Sequence, residues 1–252
     1  MFTTMDGSAS QIILIELNGV IGCGKSELFD HVAYLLQNRA DYEDSSLDET
    51  SAIMVNSPAP RLINTFLRRI YSNADENYRN TPACATFIAT YLFHHYNGLQ
   101  WYLDDIKNNR NEHYIIICDT SISAVQNVWI PFFDGLGYLK ESEKEFLQML
   151  IEQYTRDLDL ESIGVQVHNL FLDTHISQCW ENIQEREEES ENDLDQWFLQ
   201  ALDLYYVSWF KNIDNNCKMR GTQNECLEYI FNLLPGSGEE PPLKSYEMMS
   251  LM

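Results

Sequence analysis

The chain has few basic residues and no long apolar run. Its 252 residues include 16 lysines and arginines against 39 aspartates and glutamates, which gives a formal net charge of −23 at pH 7. A surface of that sign repels nucleic acid and anionic membranes, so neither is expected as a partner. No apolar stretch approaches the roughly 20 residues of a membrane span. The first ten residues lack any basic residue, so neither a secretion signal nor a transit peptide is expected.

The chain also lacks the paired cysteine spacing of a zinc site. Its six cysteines are scattered, and none forms a C-x2-C pair. They are Cys23, Cys84, Cys118, Cys179, Cys217 and Cys226. Free thiols in a reducing compartment are the simplest account of this scatter, so we predict a cytoplasmic location.

One octapeptide carries the most specific chemical signal. Residues 19–26 read Gly-Val-Ile-Gly-Cys-Gly-Lys-Ser, which fits the phosphate-loop pattern Gly-x4-Gly-Lys-Ser/Thr. Glycines let the backbone curl so that successive N–H groups face an anion, and a following helix adds its positive N-terminal end. Lys25 is then predicted to reach the β- and γ-phosphates of ATP, and the Ser26 hydroxyl to ligate Mg²⁺. The predicted nucleotide-binding residues are Gly19, Gly22, Cys23, Gly24, Lys25 and Ser26. The structural alternative is a glycine turn that binds no ligand.

Short apolar runs alternate with helical patterns along the chain. Strands are predicted at about residues 11–17, 52–55, 114–118, 165–172 and 217–220. Helices are predicted from the loop to about 38, from about 58, and at about 82–106, 121–133, 141–158, 175–188, 194–213 and 225–234. This alternation predicts an α/β protein with a five-stranded parallel sheet flanked by helices on both faces, the P-loop NTPase fold. Ligands of such sheets bind at the carboxyl ends of the strands.

The predicted domain organisation is simple. A flexible N-terminus covers residues 1–10, a single domain covers 11–234, and a tail rich in proline and glycine covers 235–252 and is predicted to be disordered. Within the domain, residues 41–50 form an acidic link that is expected to be exposed.

Three stretches, in this order, resemble the deoxyribonucleoside kinase family, which is related to thymidylate kinase. Residues 21–26, Ile-Gly-Cys-Gly-Lys-Ser, match the second half of the family's phosphate loop. Residues 115–123, Ile-Ile-Ile-Cys-Asp-Thr-Ser-Ile-Ser, resemble its strand that ends in Asp/Glu-Arg-Ser, and residues 170–186 resemble the strand and helix that lead into its lid. The resemblance covers about residues 11–213. It implies ATP- and Mg²⁺-dependent phosphorylation of a (deoxy)ribonucleoside at its 5′-hydroxyl, and a homodimer formed by the helices around 82–106 and 121–133.

The resemblance assigns roles to two further side chains. Asp119 stands where the family's acidic residue helps to hold Mg²⁺, and Arg186 stands at the lid position whose guanidinium neutralises charge on the transferred phosphoryl group. Lys25, Asp119 and Arg186 are therefore the predicted catalytic residues, and Ser26 and Asp119 the predicted Mg²⁺ ligands.

Each assignment has a structural alternative. Asp119 is also placed to cap the following helix. Arg186 is also suited to a solvated helix face, paired with Glu185 or Glu189. The neighbouring pair His94-His95 is not expected to bind one metal, because adjacent helical side chains point about 100° apart.

Several positions depart from the family. Ser57 stands where a glutamate accepts the proton of the sugar hydroxyl, and losing a positioned base lowers a rate by about 10²–10⁴-fold. Thr120 replaces the arginine of Asp-Arg-Ser, Leu62 a tryptophan, and Ile88 the glutamine that reads the base. Glu27 follows the loop where a second hydroxyl residue is usual, and its carboxylate repels phosphate unless it meets a cation. The aromatic rings of Phe87 and Tyr91 remain to stack on a base, although core packing explains them equally.

These departures leave three functions open. The first is an active nucleoside kinase, in which Asp119 or an acid of the link (Asp41, Glu43, Asp48 or Glu49) replaces the missing base. The second is a catalytically impaired, kinase-like protein that binds a nucleotide and acts through partners. The third is a thymidylate-kinase-like enzyme that acts on a nucleotide; its acceptor phosphate would have Arg61, Arg68 and Arg69 as the nearest basic residues.

Overall fold

The structure is a computed structural model that describes residues 11–37, 50–55, 70, 83–108, 113–119, 121–188, 191 and 194–233. The elements of its first half are β1 (Ile12–Asn18), α1 (Lys25–Gln37), β2 (Thr50–Val55), α2 (Ala83–Asn108) and β3 (His113–Asp119). Next comes α3, which consists of the successive segments Ile122–Ala124, Val125–Trp129 and Ile130–Gly135. The remaining elements are α4 (Glu141–Leu158), α5 (Leu160–Ile163), β4 (Val165–Leu172), α6 (Ile176–Arg186), α7 (Gln196–Phe210), β5 (Lys218–Gly221) and α8 (Gln223–Asn232).

Helix α6, which ends at Arg186, leads into the segment predicted to be a lid. Among the described helices, none is both long and apolar enough to cross a membrane.

The described strands form one parallel sheet with β1 at its centre. Their order is β2-β3-β1-β4-β5. The register places Leu17 beside Asp119 of β3, and Asn18 beside Phe171 of β4, so the carboxyl ends of the central strands meet at one edge. The predicted α/β fold, a five-stranded parallel sheet flanked by helices, is confirmed.

Core packing explains why β1 is apolar along its whole length. Side chains of a strand alternate between the two faces of the sheet. Ile13, Ile15 and Leu17 belong to the larger core cluster, which includes Leu28 and Val32 of α1. Ile12 and Leu14 belong to a second cluster, and its members on the helices are Leu99, Leu103 and Ile106 of α2 and Leu158 of α4. Both faces of the central strand are therefore buried, as the continuous apolar pattern predicts.

Where a predicted element is described, its bounds differ from the predicted ones by no more than three residues. In α3 the type of helix also differs from the prediction. The sequence pattern predicts a regular helix over 121–133, whereas residues Val125–Trp129 form a π-helical segment. A π-helical turn inserts one extra residue, which rotates the following side chains relative to a regular helix. This local change cannot be read from apolar spacing.

Some predictions concern residues outside those that the structure describes. They are the flexible N-terminus (1–10), the tail (235–252), the acidic link except Thr50, and the helix that begins near Pro58. Thr50, predicted as the end of the link, is the first residue of β2.

Candidate active site

The phosphate-loop sequence joins β1 to α1 in a tightly packed turn. Gly19, Gly22 and Gly24 have φ values of 147°, 79° and 99°, a backbone region that residues with a side chain rarely adopt. A Cβ atom on Gly22 would also lie 2.3 Å from the backbone oxygen of Cys179. Both the conformation and the close approach of α6 therefore require glycine at this position.

Lys25 lies at the start of α1 with its ammonium group turned towards the loop. Its Nζ donates to the backbone oxygens of Gly19 at 2.9 Å and Val20 at 3.0 Å. Since α1 begins at Lys25, the N–H groups of its first turn have no partner within the helix and lie at its N-terminal end, next to the loop. Lys25 and the helix N-terminus together provide the positive potential that an anionic phosphate needs.

Helix α6 holds the loop from the other side. The Asn182 side chain donates to the backbone oxygen of Gly22 at 2.8 Å, and the Thr174 hydroxyl donates to that of Cys23 at 2.7 Å. Sequence reasoning missed both contacts, because nothing in the local pattern shows which distant residue meets a loop carbonyl.

Asp119 ends β3 beside the phosphate loop. Burial raises the pKa of the Cys23 thiol, the charge of Lys25 lowers it, and the charge of Asp119 raises it further, so both charges act on the loop. The cap of α3 is Ser121, whose Oγ accepts from the backbone N–H of Ala124 at 2.8 Å. The capping role considered for Asp119 is therefore filled by Ser121.

Ser26 and Asp119 have the donor chemistry that Mg²⁺ prefers. A hydroxyl and a carboxylate are hard oxygen donors, and Mg²⁺ at phosphate-transfer sites is held by one or two carboxylates together with substrate phosphates. The described residues contain no group of three or more His, Cys, Asp or Glu side chains that would form a cage around a metal. The donor chemistry of Ser26 and Asp119 fits Mg²⁺.

Arg186, the last residue of α6, pairs with Glu27 in the first turn of α1. Its Nη2 lies 3.2 Å from Oε1 of Glu27. The described ion pair is therefore with Glu27 and not with Glu185, while Glu189, the other acid considered from the sequence, lies outside the described residues. The same contact supplies the cation that the carboxylate of Glu27 needs beside the phosphate loop. It places the predicted lid arginine at the edge of the loop.

Glu191 is a further acid of this region. Burial raises its pKa, while the charges of Arg186 and Lys25 lower it, and its buried Oε2 has no hydrogen-bond partner in the part of the chain that the structure describes. Its carboxylate therefore lies within electrostatic reach of two predicted phosphate-binding cations. The sequence showed only an acidic run here, which is usually a solvated face.

A small apolar cavity of about 40 Å³ lies between α2 and α3. It is lined by Phe87, Ile88, Tyr91, Val125 and Trp129. The two aromatic residues singled out from the sequence, Phe87 and Tyr91, both line it, with ring centroids 6.4 Å apart. Trp129 was missed, because it reaches the cavity from the π-helical segment.

Hydrogen bonds hold two of the aromatic side chains that line the cavity. The hydroxyl of Tyr91 donates to the backbone oxygen of Asp119, and the indole N–H of Trp129 donates to the hydroxyl of Tyr206 at 3.0 Å. Tyr91 therefore joins the cavity directly to the strand end that carries Asp119. This contact connects the cavity with the phosphate loop through a single residue.

The two adjacent histidines of α2 have different surroundings. His94 is exposed, whereas His95 is buried and burial lowers its pKa to about 4. This difference agrees with the divergence of neighbouring side chains on a helix.

Several positions that decide the comparison with the kinase pattern lie outside the described residues. They are Ser57, Leu62, Thr120, the basic residues Arg61, Arg68 and Arg69, and the link acids Asp41, Glu43, Asp48 and Glu49.

The strand order, the glycine loop and the lysine that opens α1 define a protein of the P-loop fold. The chain belongs to the deoxynucleoside kinase family, whose model matches residues 15–229. The matched range includes the loop, Asp119, the cavity and Arg186.

A solved structure shares this fold. The structure of deoxyadenosine kinase from M. mycoides with bound dATP is 13% identical in sequence, covers 88% of this chain and 98% of that chain, and has a TM-score of 0.52. No curated protein matches the sequence.

Proposed function

We propose that the protein transfers the γ-phosphoryl group of ATP to the 5′-hydroxyl of a deoxynucleoside. The observation that carries the proposal is the position of Asp119, which ends β3 near the phosphate loop and whose backbone oxygen accepts from the hydroxyl of Tyr91 in the cavity wall. Phosphoryl transfer depends mainly on positioning and charge stabilisation, so donor and acceptor sites that adjoin the same strand end suit it.

In this proposal the loop binds the donor phosphates. The backbone N–H groups of residues 19–26 and the ammonium group of Lys25 hold the β- and γ-phosphates, and Arg186 compensates negative charge on the transferred group. Ser26 and Asp119 would hold Mg²⁺, which would supply positive charge to offset the charge of the phosphates. The aromatic side chains around the cavity between α2 and α3 stack on the nucleobase, which exceeds the cavity volume of about 40 Å³ and therefore binds at its open side.

The proton of the 5′-hydroxyl needs an acceptor other than Ser57. Asp119 and Glu191 are two carboxylates, among the described residues, that interact electrostatically with groups of the phosphate site. Because Asp119→Asn also removes a predicted Mg²⁺ ligand, Glu191→Gln decides between the two: kcat should fall by about 10²-fold or more if Glu191 is the acceptor, and change little if Asp119 is.

Coupled ATP turnover with each of the four deoxynucleosides tests the proposed activity. We expect turnover with at least one of them, dependent on Mg²⁺ and abolished in Lys25→Ala. Heat-denaturation shifts with ATP and Mg²⁺ measure nucleotide binding separately. Turnover only with a deoxynucleoside monophosphate would instead support the thymidylate-kinase-like function.

A second candidate is a nucleotide-binding protein with impaired catalysis. It is favoured by the ion pair between Arg186 and Glu27, which engages the charge-compensating arginine with an acid of the chain itself. ATP binding without turnover on any deoxynucleoside or its monophosphate would support this function and contradict the first. A homodimer and a cytoplasmic location remain predictions for either function.

A further inference from the structure

Glu16 is a buried acid that the proposed reaction does not use. It lies in β1 with 4% of its surface exposed, and its Oε2 has no hydrogen-bond partner among the described residues. Burial raises the pKa of Glu16 to about 7, and a hydrogen bond from the Ser121 side chain opposes that rise. An acid is costly to bury, so its presence in the central strand calls for a specific role.

The contact of Glu16 with Ser121 has a defined direction. The oxygen of Ser121 accepts the backbone N–H of Ala124 at 2.8 Å, and Ser121 is fully buried. A hydroxyl has a single proton, which Ser121 donates to the carboxylate of Glu16. Glu16 therefore holds the Ser121 side chain in the orientation that caps α3.

The capped turn leads directly into the cavity wall. The backbone N–H of Val125 donates to the backbone oxygen of Ser121 at 3.0 Å, so the first turn of α3 is anchored at this one residue. The π-helical segment Val125–Trp129 follows at once, and both of its terminal residues line the cavity. The orientation of Ser121 is thus transmitted to two of the five lining side chains.

We propose that Glu16 is a positioning residue for the nucleoside: through Ser121 it sets the start of α3 and hence the placement of Val125 and Trp129. The inference rests on the proposed function, because it assumes that this cavity takes the nucleobase. It assigns to Glu16 the role of a hydrogen-bond acceptor. Glutamine retains an acceptor oxygen at nearly the same place, whereas leucine removes it.

Steady-state kinetics of Glu16→Leu, Glu16→Gln and Ser121→Ala test this role. Loss of a helix cap is worth about 1 kcal/mol, which corresponds to about fivefold in affinity. We expect KM for the nucleoside to rise about fivefold in Glu16→Leu and Ser121→Ala, with KM for ATP changed less than about twofold. Glu16→Gln should restore the nucleoside KM. The double variant Glu16→Leu/Ser121→Ala should have the same KM for the nucleoside as Ser121→Ala, because both changes remove the same hydrogen bond between Ser121 and Glu16.

Thr222→Ala is the matched control. Thr222 caps α8 by accepting from the backbone N–H of Glu225, away from the cavity-lining residues. Its loss should lower the thermal midpoint without a selective effect on the nucleoside. If Glu16→Leu lowers the midpoint in the same way and leaves the ratio of the two KM values unchanged, Glu16 is only structural and the proposal is overturned.

Amide exchange followed by mass spectrometry gives a readout that needs no turnover. Exchange in residues 121–129 should be faster in Glu16→Leu than in the wild type, and normal in Glu16→Gln. Faster exchange in a protein that phosphorylates no nucleoside would refute the proposed function while supporting the link between Glu16 and α3. Unchanged exchange in Glu16→Leu would refute the link itself.

Discussion

At the scale of single residues, Gly22 shows how strongly one position is constrained. Its φ of 79° disfavours any residue with a side chain, and a Cβ atom at this position would also clash with the backbone oxygen of Cys179. The first constraint is local and the second comes from α6. A substitution here therefore tests the loop conformation and the packing of α6 together.

We expect Gly22→Ala to lower the free energy of unfolding by at least about 3 kcal/mol, because conformational strain adds to a backbone clash. Gly137→Ala separates the two causes: Gly137 has a similar φ of 73° and no heavy atom within 4 Å of its built Cβ. That variant should cost only about 1 kcal/mol. Urea denaturation measures both, and equal losses would show that α6 does not contact the loop as described.

Glu16 leads to a second prediction, which concerns how the free energy of unfolding depends on pH. Its pKa is about 7 in the folded protein against 4.5 in its ordinary state, a difference worth about 3 kcal/mol. The folded protein therefore keeps a proton that the unfolded chain releases, so stability is lost as the pH rises from 4.5 to about 7. Glu16→Gln removes this loss and should be more stable than the wild type by up to about 3 kcal/mol at about pH 8, but much less at about pH 5. A difference independent of pH, measured by urea denaturation, would show that Glu16 does not titrate in this range.

At the scale of elements, strands and helices were predictable where burial imposes one periodicity. The run Tyr114–Cys118 is apolar on both faces, as a central parallel strand requires, and it lies within β3. The π-helical segment of α3 was not predictable, because its extra residue leaves the apolar composition unchanged. Contacts between distant elements, such as Asn182 with Gly22, escaped prediction for a different reason: they depend on how the sheet brings β4 beside β1.

The residues of the candidate site also differ in whether a local sequence pattern reveals them. Lys25 and Ser26 were identifiable because the phosphate loop is a local motif, and Asp119 because residues 115–123 resemble the family's strand that ends in Asp/Glu-Arg-Ser. Their catalytic and metal-binding roles remain predictions. Glu191 and Glu16 gave no local signal, since their significance lies in the groups that surround them after folding.

The ion pair between α1 and α6 makes a prediction about nucleotide affinity. Glu27 holds Arg186 at the edge of the loop and adds a negative charge beside the phosphate position. Glu27→Gln should therefore tighten ATP binding about three- to tenfold, because it frees the arginine and removes a repulsion. Calorimetry with ATP and Mg²⁺ measures the change, and adenosine, which has no phosphate, should bind unchanged.

Glu181→Gln is the control for this element. It removes the same charge from an exposed position of α6, next in sequence to Asn182, without an ion pair to Arg186 among the described residues. An equal gain in ATP affinity in both variants would attribute the effect to net charge alone. Weaker ATP binding in Glu27→Gln would mean that the ion pair orients Arg186 for the nucleotide.

At the scale of the whole molecule, the charge of −23 opposes the ligand that the loop is built to bind. The repulsion between distant acids and a nucleotide is screened over about 8 Å at physiological ionic strength, and over about 30 Å at 0.01 M. Lys25 and the N–H groups of α1 act at contact distance, where screening is much weaker. Local attraction and long-range repulsion therefore respond differently to salt.

This difference gives a prediction for the intact protein. Raising sodium chloride from about 10 mM to about 150 mM should tighten ATP binding by about two- to fivefold, because the long-range repulsion is screened before the local attraction. The affinity for an uncharged deoxynucleoside should stay constant over the same range, since it carries no charge for the field to act on. Calorimetric titrations of the two ligands at matched Mg²⁺ measure both. If ATP binding weakens steadily from the lowest salt upwards, the cations around the loop, rather than the net charge, dominate the field that the nucleotide meets.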